Sequence, residues 1–286
     1  MPPAPTYTRF LRCRALAKVN LGLRVLGRDA AGYHRLETVF HSLNLADEID
    51  LRWQPHPRGE GPITINCPGS GLQLGPNSSV HRAIVGLRQL GAPIGALRLE
   101  IHKRIPLAGG LGGSSADAAA ILRALSHLVP GPRRQQQLSA LALSLGADVP
   151  FQLRGGCAHA LGRGEILSPL AAWEGQPVWL ILCPGGCDTA QVFAALSETQ
   201  RRPRCAHGHT WWQQQWRSGS TAWQTNDLWP AARALNPRLA AVAQWLDGQA
   251  LPWAMSGSGS SCYSLKQPDG TPPAGCQVLQ TTFSEG

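Results

Sequence analysis

From Arg9 to Leu26 (RFLRCRALAKVNLGLRVL) apolar and polar positions alternate over much of the run. That period of two predicts a long bent strand or a strand pair. GRDAAGYH at 27–34 reads as a turn. Residues 36–53 read as strand, short loop and strand, and ITINC at 63–67 as a short strand after a Pro/Gly-rich loop. Apolar spacing changes to the helical period in NSSVHRAIVGLRQLGA, with Asn77 as its expected cap and glycine at its end. ALRLEIHKRI at 96–105 alternates again and predicts a strand. A helix is expected from about Ser115 to Leu128 and another over QQQLSALALSLG, separated by PGPRR. GADVPFQLRGGCAHALGRGEIL reads as a turn followed by strands. PVWLILCP reads as a buried strand, and DTAQVFAAL as a short capped helix. Residues 198–222 look like an irregular, exposed connection. NDLWPAARALNPRLAAVAQWL predicts one helix, or two split at Pro237, and WAMSGSGSSCYSL predicts strand, turn and strand.

Strands and helices mix without strict βαβ alternation, which argues for an α+β fold. The composition shifts after about residue 165, so two domains are expected, 1–165 and 166–286. An apolar content of 43% and a charged content of 15% fit a globular chain. The first residues contain no continuous apolar segment of the signal-peptide kind, and no run reaches the length needed to span a bilayer. A cytoplasmic location is expected. Eight cysteines are spread along the chain, unlike a dense secreted scaffold. Cys183, Cys187, Cys205, His207 and His209 lie close in sequence, but CPGGC followed by CAHGH matches no common zinc spacing. The net charge of +9 suits an anionic partner. Arginine supplies nearly all of it, since lysine occurs only at 18, 103 and 266. No long basic run or RNA-binding aromatic motif accompanies the charge.

The densest signal is PLAGGLGGSSADAAAIL, residues 106–122. A strand runs into four glycines and two serines, and a helix follows at once. Glycine permits positive φ and a close approach of backbone to ligand. Successive N–H groups, with the positive end of a helix behind them, form a phosphate cradle. A tight strand–helix turn is the alternative, but glycine is unfavourable by roughly 1 kcal/mol in regular structure, and four together call for a reason. The loop lacks the P-loop lysine, the dinucleotide spacing with its acidic partner, the protein-kinase HRD and DFG elements and the G-x-S-x-G elbow.

IPLAGGLGGSSADAAA resembles the glycine–serine signature of the GHMP small-molecule kinases. AKVNLGLRVLGRDAAGYHRLETVF at 17–40, GADVPF at 146–151 and MSGSGSSCYSL at 255–265 narrow the resemblance to the 4-diphosphocytidyl-2-C-methyl-D-erythritol kinases, which serve the non-mevalonate isoprenoid pathway. It covers nearly the whole chain and thins at 198–222. It implies a two-lobed fold, with an N-terminal lobe like domain 2 of ribosomal protein S5 and a ferredoxin-like C-terminal lobe. It also implies ATP-dependent phosphorylation of the substrate's 2-hydroxyl, with ATP and Mg2+ as cofactors. Lys18 and Asp148 match the catalytic pair. Asn77, Lys103 and the loop Pro106, Leu107, Ala108, Gly109, Gly110, Leu111, Gly112, Gly113, Ser114, Ser115 and Ala116 match nucleotide-binding positions. Asn20, Tyr33, His34, Thr189 and Phe193, with Asp148, match substrate positions. The Tyr33–His34 pair serves the cytosine. SGSG at 256–259 looks like the motif that supports the phosphate loop. The protein ligand of magnesium is not identified, Ser115 being the residue considered. Where family loops carry a third glycine and two serines, this chain has Ser114, Ser115 and Ala116.

On this reading the partner is a small molecule, cytidine diphosphate methylerythritol, with no nucleic acid and no membrane, and the chain is a monomer or homodimer. Two other readings stay open from the residues: a homoserine or mevalonate type of GHMP kinase, and a basic RNA-binding protein with salt-sensitive affinity.

Overall fold

A computed structural model describes residues 7–197, 204–218 and 223–286. Part of the connection expected at 198–222 and the first six residues lie outside the described residues. Packing divides the chain into two compact units, each assembled from separated stretches. The first comprises Met1–Ala17, Ala46–Ile105 and Gly113–Arg154. The second comprises Lys18–Leu45, Pro106–Gly112 and Gly155–Gly286. The division expected at residue 165 cuts the sequence once, whereas these units divide the first two strands along their length.

Those strands are β1 (Arg9–Arg28) and β2 (His34–Pro55), which pair with each other. β2 is continuous, where the sequence suggests a break. Asp47 is the polar residue that favours a loop, yet its carboxylate accepts the N–H groups of Arg104 and Ile105 at 2.6 and 2.8 Å, so it is tolerated in the interior.

In the first unit, β3 (Ile63–Asn66) runs parallel to β4 (Ile94–His102), which pairs antiparallel with the far end of β2. The register explains the alternation. Ile49 faces Ile101, Leu51 faces Leu99 and Trp53 faces Leu97, all six buried, while Asp50–Glu100 and Arg52–Arg98 occupy the other face. Four helices accompany this sheet: α1 (Ser79–Gln89), α2 (Gly113–Leu125), α3 (Arg134–Leu145) and α4 (Val149–Arg154). The cap of α1 is Ser78, which accepts the His81 N–H; Asn77, the expected cap, stands exposed one residue earlier. α2 begins two residues before its expected start and ends in a 3-10 turn at Ser126–Leu128. Its alanines at 116, 118, 119 and 120 are buried, and small side chains let it pack closely on α1 and α4. α4 replaces the turn expected after Asp148.

In the second unit, β10 (Gln277–Ser284), β7 (Pro177–Leu182), β9 (Cys262–Ser264) and β8 (Trp253–Met255) form an antiparallel series. β10 also joins the near part of β2, as does β5 (Cys157–Leu161), which carries β6 (Ile166–Leu170). The helices are α5 (Thr189–Ala194), α6 (His209–Ser218), α7 (Trp229–Leu235) and α8 (Arg238–Asp247), the last two separated at Pro237. One core holds Ile181, Cys183, Cys187, Val192, Leu239, Val242 and Cys262. Cys183 and Cys187 are thus core residues, and Cys205 is exposed.

α6 falls in the stretch expected to be irregular. Its anchor is Glu37 on β2, whose side chain is fully buried. Glu37 pairs with Arg24 at 2.7 Å and His159 at 3.1 Å. It also accepts the N–H groups of His207, Gly208 and the Trp212 indole. Burial pushes its carboxyl up, but these donors together outweigh it and hold the pKa at about 2. Among the described residues no helix is long and apolar enough to cross a membrane.

Candidate active site

The glycine loop divides into two parts. Pro106–Gly112 packs in the second unit, and Gly113 opens α2 in the first. Within the loop the four consecutive carbonyls of residues 108–111 are held from behind. The Ala108 oxygen accepts Cys187 N–H at 3.3 Å and the Gly109 oxygen accepts Ser261 N–H at 3.1 Å. The Gly110 oxygen accepts the Ser256 hydroxyl at 3.0 Å and Lys18 Nζ at 3.2 Å, and the Leu111 oxygen accepts Lys18 N–H at 3.0 Å. Among the described residues, the N–H groups of Gly110, Leu111 and Gly112 donate to no protein acceptor. Pinning the carbonyls on one side turns these amides the other way, which is the geometry of an anion nest. Gly110 and Gly112 hold φ of 74° and 72°. A Cβ at Gly110 would also collide with the Ser256 carbonyl. The turn 256–261 is therefore the brace of this loop.

Lys18, 3% exposed, lies against the same loop. Its ammonium donates to Asn20 Oδ1 at 2.5 Å and stands 5.3 Å from the Phe40 ring centre. The two-residue spacing on β1 places Lys18 and Asn20 on one face. Asn20 is fixed in turn: its amide donates to Thr38 Oγ1 at 3.0 Å, and its N–H to Ser256 Oγ at 3.1 Å. Ser256 therefore touches both the loop and the strand that carries the lysine.

The remaining expected residues of this unit form two groups. His34 stacks on Phe193, ring centres 4.9 Å apart, with Thr189 one turn before Phe193 on α5 and bonded to Ser258 at 2.8 Å. Tyr33 stands 58% exposed at the end of the β1–β2 turn, one face under the Arg163 guanidinium.

In the first unit, Ser114 and Ser115 occupy the first turn of α2, followed by buried Ala116. The Ser114 carbonyl accepts the Ser79 hydroxyl at 2.9 Å. Asp148 opens α4, its carbonyl accepting Gln152 N–H. The Ser115 hydroxyl lies 3.8 Å from the place of a Cβ on Gly146, so it borders the Gly146–Asp148 turn. The Lys103 side chain is 6% exposed and its ammonium is committed to Asp47 and, at 2.7 Å, to Asp117. The two carboxylates hold this ammonium beside the start of α2, 3.6 Å from the place of a Cβ on Gly113. Burial together with neighbouring Asp47 outweighs the Lys103 pull and raises the Asp117 pKa to about 7. Ser256 belongs to the SGSG motif expected to support the loop, whereas nothing in the sequence points to Asp47, Thr38 or Arg163. For Asp117 an acid inside an alanine run, SADAAA, is the one available signal, because such a buried charge needs a partner. The remaining His/acid trio at ligating distance among the described residues is Asp50, Glu100 and His102, and Arg12 already holds both Asp50 oxygens at 2.6 and 2.8 Å.

The GHMP kinases N terminal domain matches residues 78–156. A protein of Deinococcus radiodurans named 4-diphosphocytidyl-2-C-methyl-D-erythritol kinase is 42% identical over 188 residues, 65% of this chain and 60% of that relative. One of the same name from Solibacter usitatus is 36% identical over 270 residues, 90% of this chain and 82% of the relative. The chain belongs to the 4-diphosphocytidyl-2-C-methyl-D-erythritol kinase family. A crystal structure of 4-(cytidine 5'-diphospho)-2C-methyl-D-erythritol kinase superposes with a TM-score of 0.75 at 32% identity, covering 96% of this chain and all of that one. A homoserine kinase from Cytophaga hutchinsonii, at 18% identity and a TM-score of 0.66, shares the fold. The α+β fold is thus that of the GHMP kinases, and membership of the kinase family implies the use of ATP.

Proposed function

We propose that this chain phosphorylates the 2-hydroxyl of 4-diphosphocytidyl-2-C-methyl-D-erythritol at the expense of ATP. The observation that carries the reading is the glycine loop, with the carbonyls of 108–111 pinned and the amides of Gly110, Leu111 and Gly112 unpaired beside Lys18. Those donors fit a polyphosphate: backbone N–H groups and an ammonium meet negative oxygens. Gly110, Leu111 and Gly112 would hold the phosphates of ATP, with Ser114 and Ser115 in the first turn of the following helix. Bound ATP would supply the phosphoryl group and Mg2+ would neutralise charge on its oxygens, Ser115 being the hydroxyl considered as its ligand.

The chain's own chemistry is positioning and charge. Phosphoryl transfer demands an aligned hydroxyl and compensated negative charge more than covalent help. Asn20 and Gly110 hold the Lys18 ammonium at a fixed place on β1. Asp148 is assigned as the carboxylate that orients the acceptor hydroxyl and takes its proton. That role comes from the family's G-A-D-V-P-F motif. Asn20 is assigned to the methylerythritol end. Tyr33, His34 and Phe193 are assigned to the cytosine, and Thr189 to the same part of the substrate. The contact of the His34 and Phe193 rings supports that assignment, since it brings an aromatic ring and a ring with hydrogen-bonding nitrogens to one place.

ADP release, coupled to a reporter enzyme, tests the proposal against a panel of cytidine diphosphate methylerythritol, homoserine and mevalonate. Turnover confined to the first is expected. Lys18→Ala and Asp148→Ala should each lose at least a hundredfold in kcat while unfolding at about the wild-type temperature. Equal turnover of a substrate without a cytidine would refute the substrate assignment. Wild-type rates in both variants would refute the roles of the two residues.

A further inference from the structure

An aromatic side chain more than half exposed at the tip of a turn is normally free to change rotamer. Tyr33 is not. The Arg163 guanidinium carbon lies 3.7 Å from the centre of its ring, a flat stacking distance. That guanidinium is itself held: its Nε and one terminal nitrogen donate to the same Asp29 oxygen at 3.0 and 2.8 Å. The other Asp29 oxygen accepts the N–H groups of Ala31 and Tyr33, both at 2.9 Å, and so closes the turn that presents the ring. One carboxylate thus fixes both the backbone of Tyr33 and the cation that covers its side chain.

Arg163 is fixed from its own end as well. It belongs to the β5–β6 turn, where its N–H donates to Glu165 at 2.5 Å. The Gly162 carbonyl accepts Leu36 N–H at 2.6 Å, which ties that turn to β2 two residues beyond His34. Gly162 holds φ of 75°, and a Cβ there would meet the Glu165 carboxylate. The stack is therefore built from two ordered turns and is not a chance meeting of surface side chains.

From this we infer that Arg163 is a positioning residue for nucleobase recognition: it covers one face of Tyr33 and leaves the other as a preset platform for the pyrimidine. The inference rests on the proposed assignment of Tyr33 to the cytosine. A ring already clamped loses little side-chain freedom when a base stacks on it, so more of the stacking energy appears as affinity. The effect belongs to substrate binding, and the phosphoryl-transfer centre is not involved.

The test is a kinetic and binding comparison of wild type with Arg163→Ala, Arg163→Lys, Asp29→Asn and Tyr33→Ala. The KM for the cytidine substrate and for ATP are measured, with calorimetric affinity for cytidine 5'-diphosphate as a readout that needs no turnover. Arg163→Ala is expected to raise the KM for the cytidine substrate about three- to tenfold, with kcat and the KM for ATP unchanged. Cytidine diphosphate affinity should fall by the same factor. Arg163→Lys should recover little of it, because an ammonium lacks the planar stack. Asp29→Asn should show an intermediate loss. Unchanged KM and cytidine diphosphate affinity in folded Arg163→Ala, alongside a clear loss in Tyr33→Ala, would overturn this inference alone. Full rescue by lysine would overturn it too, by showing that charge and not stacking matters. A wild-type protein that fails to turn over the cytidine substrate would remove the proposed function, and this inference with it.

Discussion

Glu37→Gln separates one buried charge from everything around it. The carboxylate, fully buried on β2, faces Arg24, His159, the Trp212 indole and two main-chain N–H groups. Its pKa stands at about 2 in the folded chain against an ordinary value of 4.5. A carboxyl depressed on folding contributes stability that is complete above the unfolded pKa and vanishes as pH falls through the folded one. The window is therefore pH 4.5 down to 2, and the shift corresponds to roughly 3 kcal/mol at 1.36 kcal/mol per unit. Glutamine keeps the shape but turns an amide donor toward a set of donors and leaves Arg24 without its anion. Such a variant should lose on the order of 3 kcal/mol at pH 7. Urea unfolding followed by tryptophan fluorescence at pH 7, 5, 4 and 3 measures it, the Trp212 indole being itself one of the donors. Asp29 and Asp50 are also held low by arginines, but they titrate equally in both proteins and cancel in the difference. The gap between wild type and variant should be constant from pH 7 to 5 and close below it. Parallel stability curves down to pH 3 would refute the account.

Gly110→Ala should reduce kcat/KM for ATP by more than tenfold, read by ADP release, because the new methyl meets the Ser256 carbonyl. Gly131→Ala has a comparable positive φ but open space around its Cβ, and should cost only about 1 kcal/mol of stability with no kinetic effect. Ser256→Ala removes the hydroxyl that braces Gly110 and Asn20, and should raise the KM for ATP roughly three- to tenfold with about 1 kcal/mol of stability lost. Asp117 has a raised pKa, so in wild type its contribution falls as pH rises from about 4 to 7. Thermal melts should show Asp117→Asn gaining on wild type across that window and level above it.

The parts of the site legible in the sequence are those whose function is carried by main chain or by a fixed spacing. Gly109 to Gly113 announce a backbone ligand site, and Lys18 and Asn20 share a face because a strand allows nothing else. The parts that stayed hidden depend on partners distant in sequence. Asp47 reads as a loop residue until Lys103 and the N–H groups at 104 and 105 are seen around it. The SGSG motif points to support of the loop, but that the Ser256 hydroxyl sits under Gly110 and also meets the Asn20 N–H depends on the fold. α4 is too short for a helical period to register, and Pro150 in its first turn looks like a break, although proline is tolerated there. α6 carries tryptophans and glutamines without a clean apolar stripe, and Glu37, some 170 positions earlier, is what fixes it. Between Ser78 and Asn77 the capping chemistry is equivalent, and the sequence offers no means of choosing.

The bracing of residues 108–111 bears on inhibition. A backbone amide is not deleted by exchanging side chains, proline excepted. A compound that anchors an anionic group on the Gly110, Leu111 and Gly112 nitrogens would lose those contacts only through changes that displace the loop backbone, as a methyl at Gly110 would. Resistance would have to arise at Gly110, Ser256 or Lys18, where a change that loosened the drug would also slacken the grip on the nucleotide.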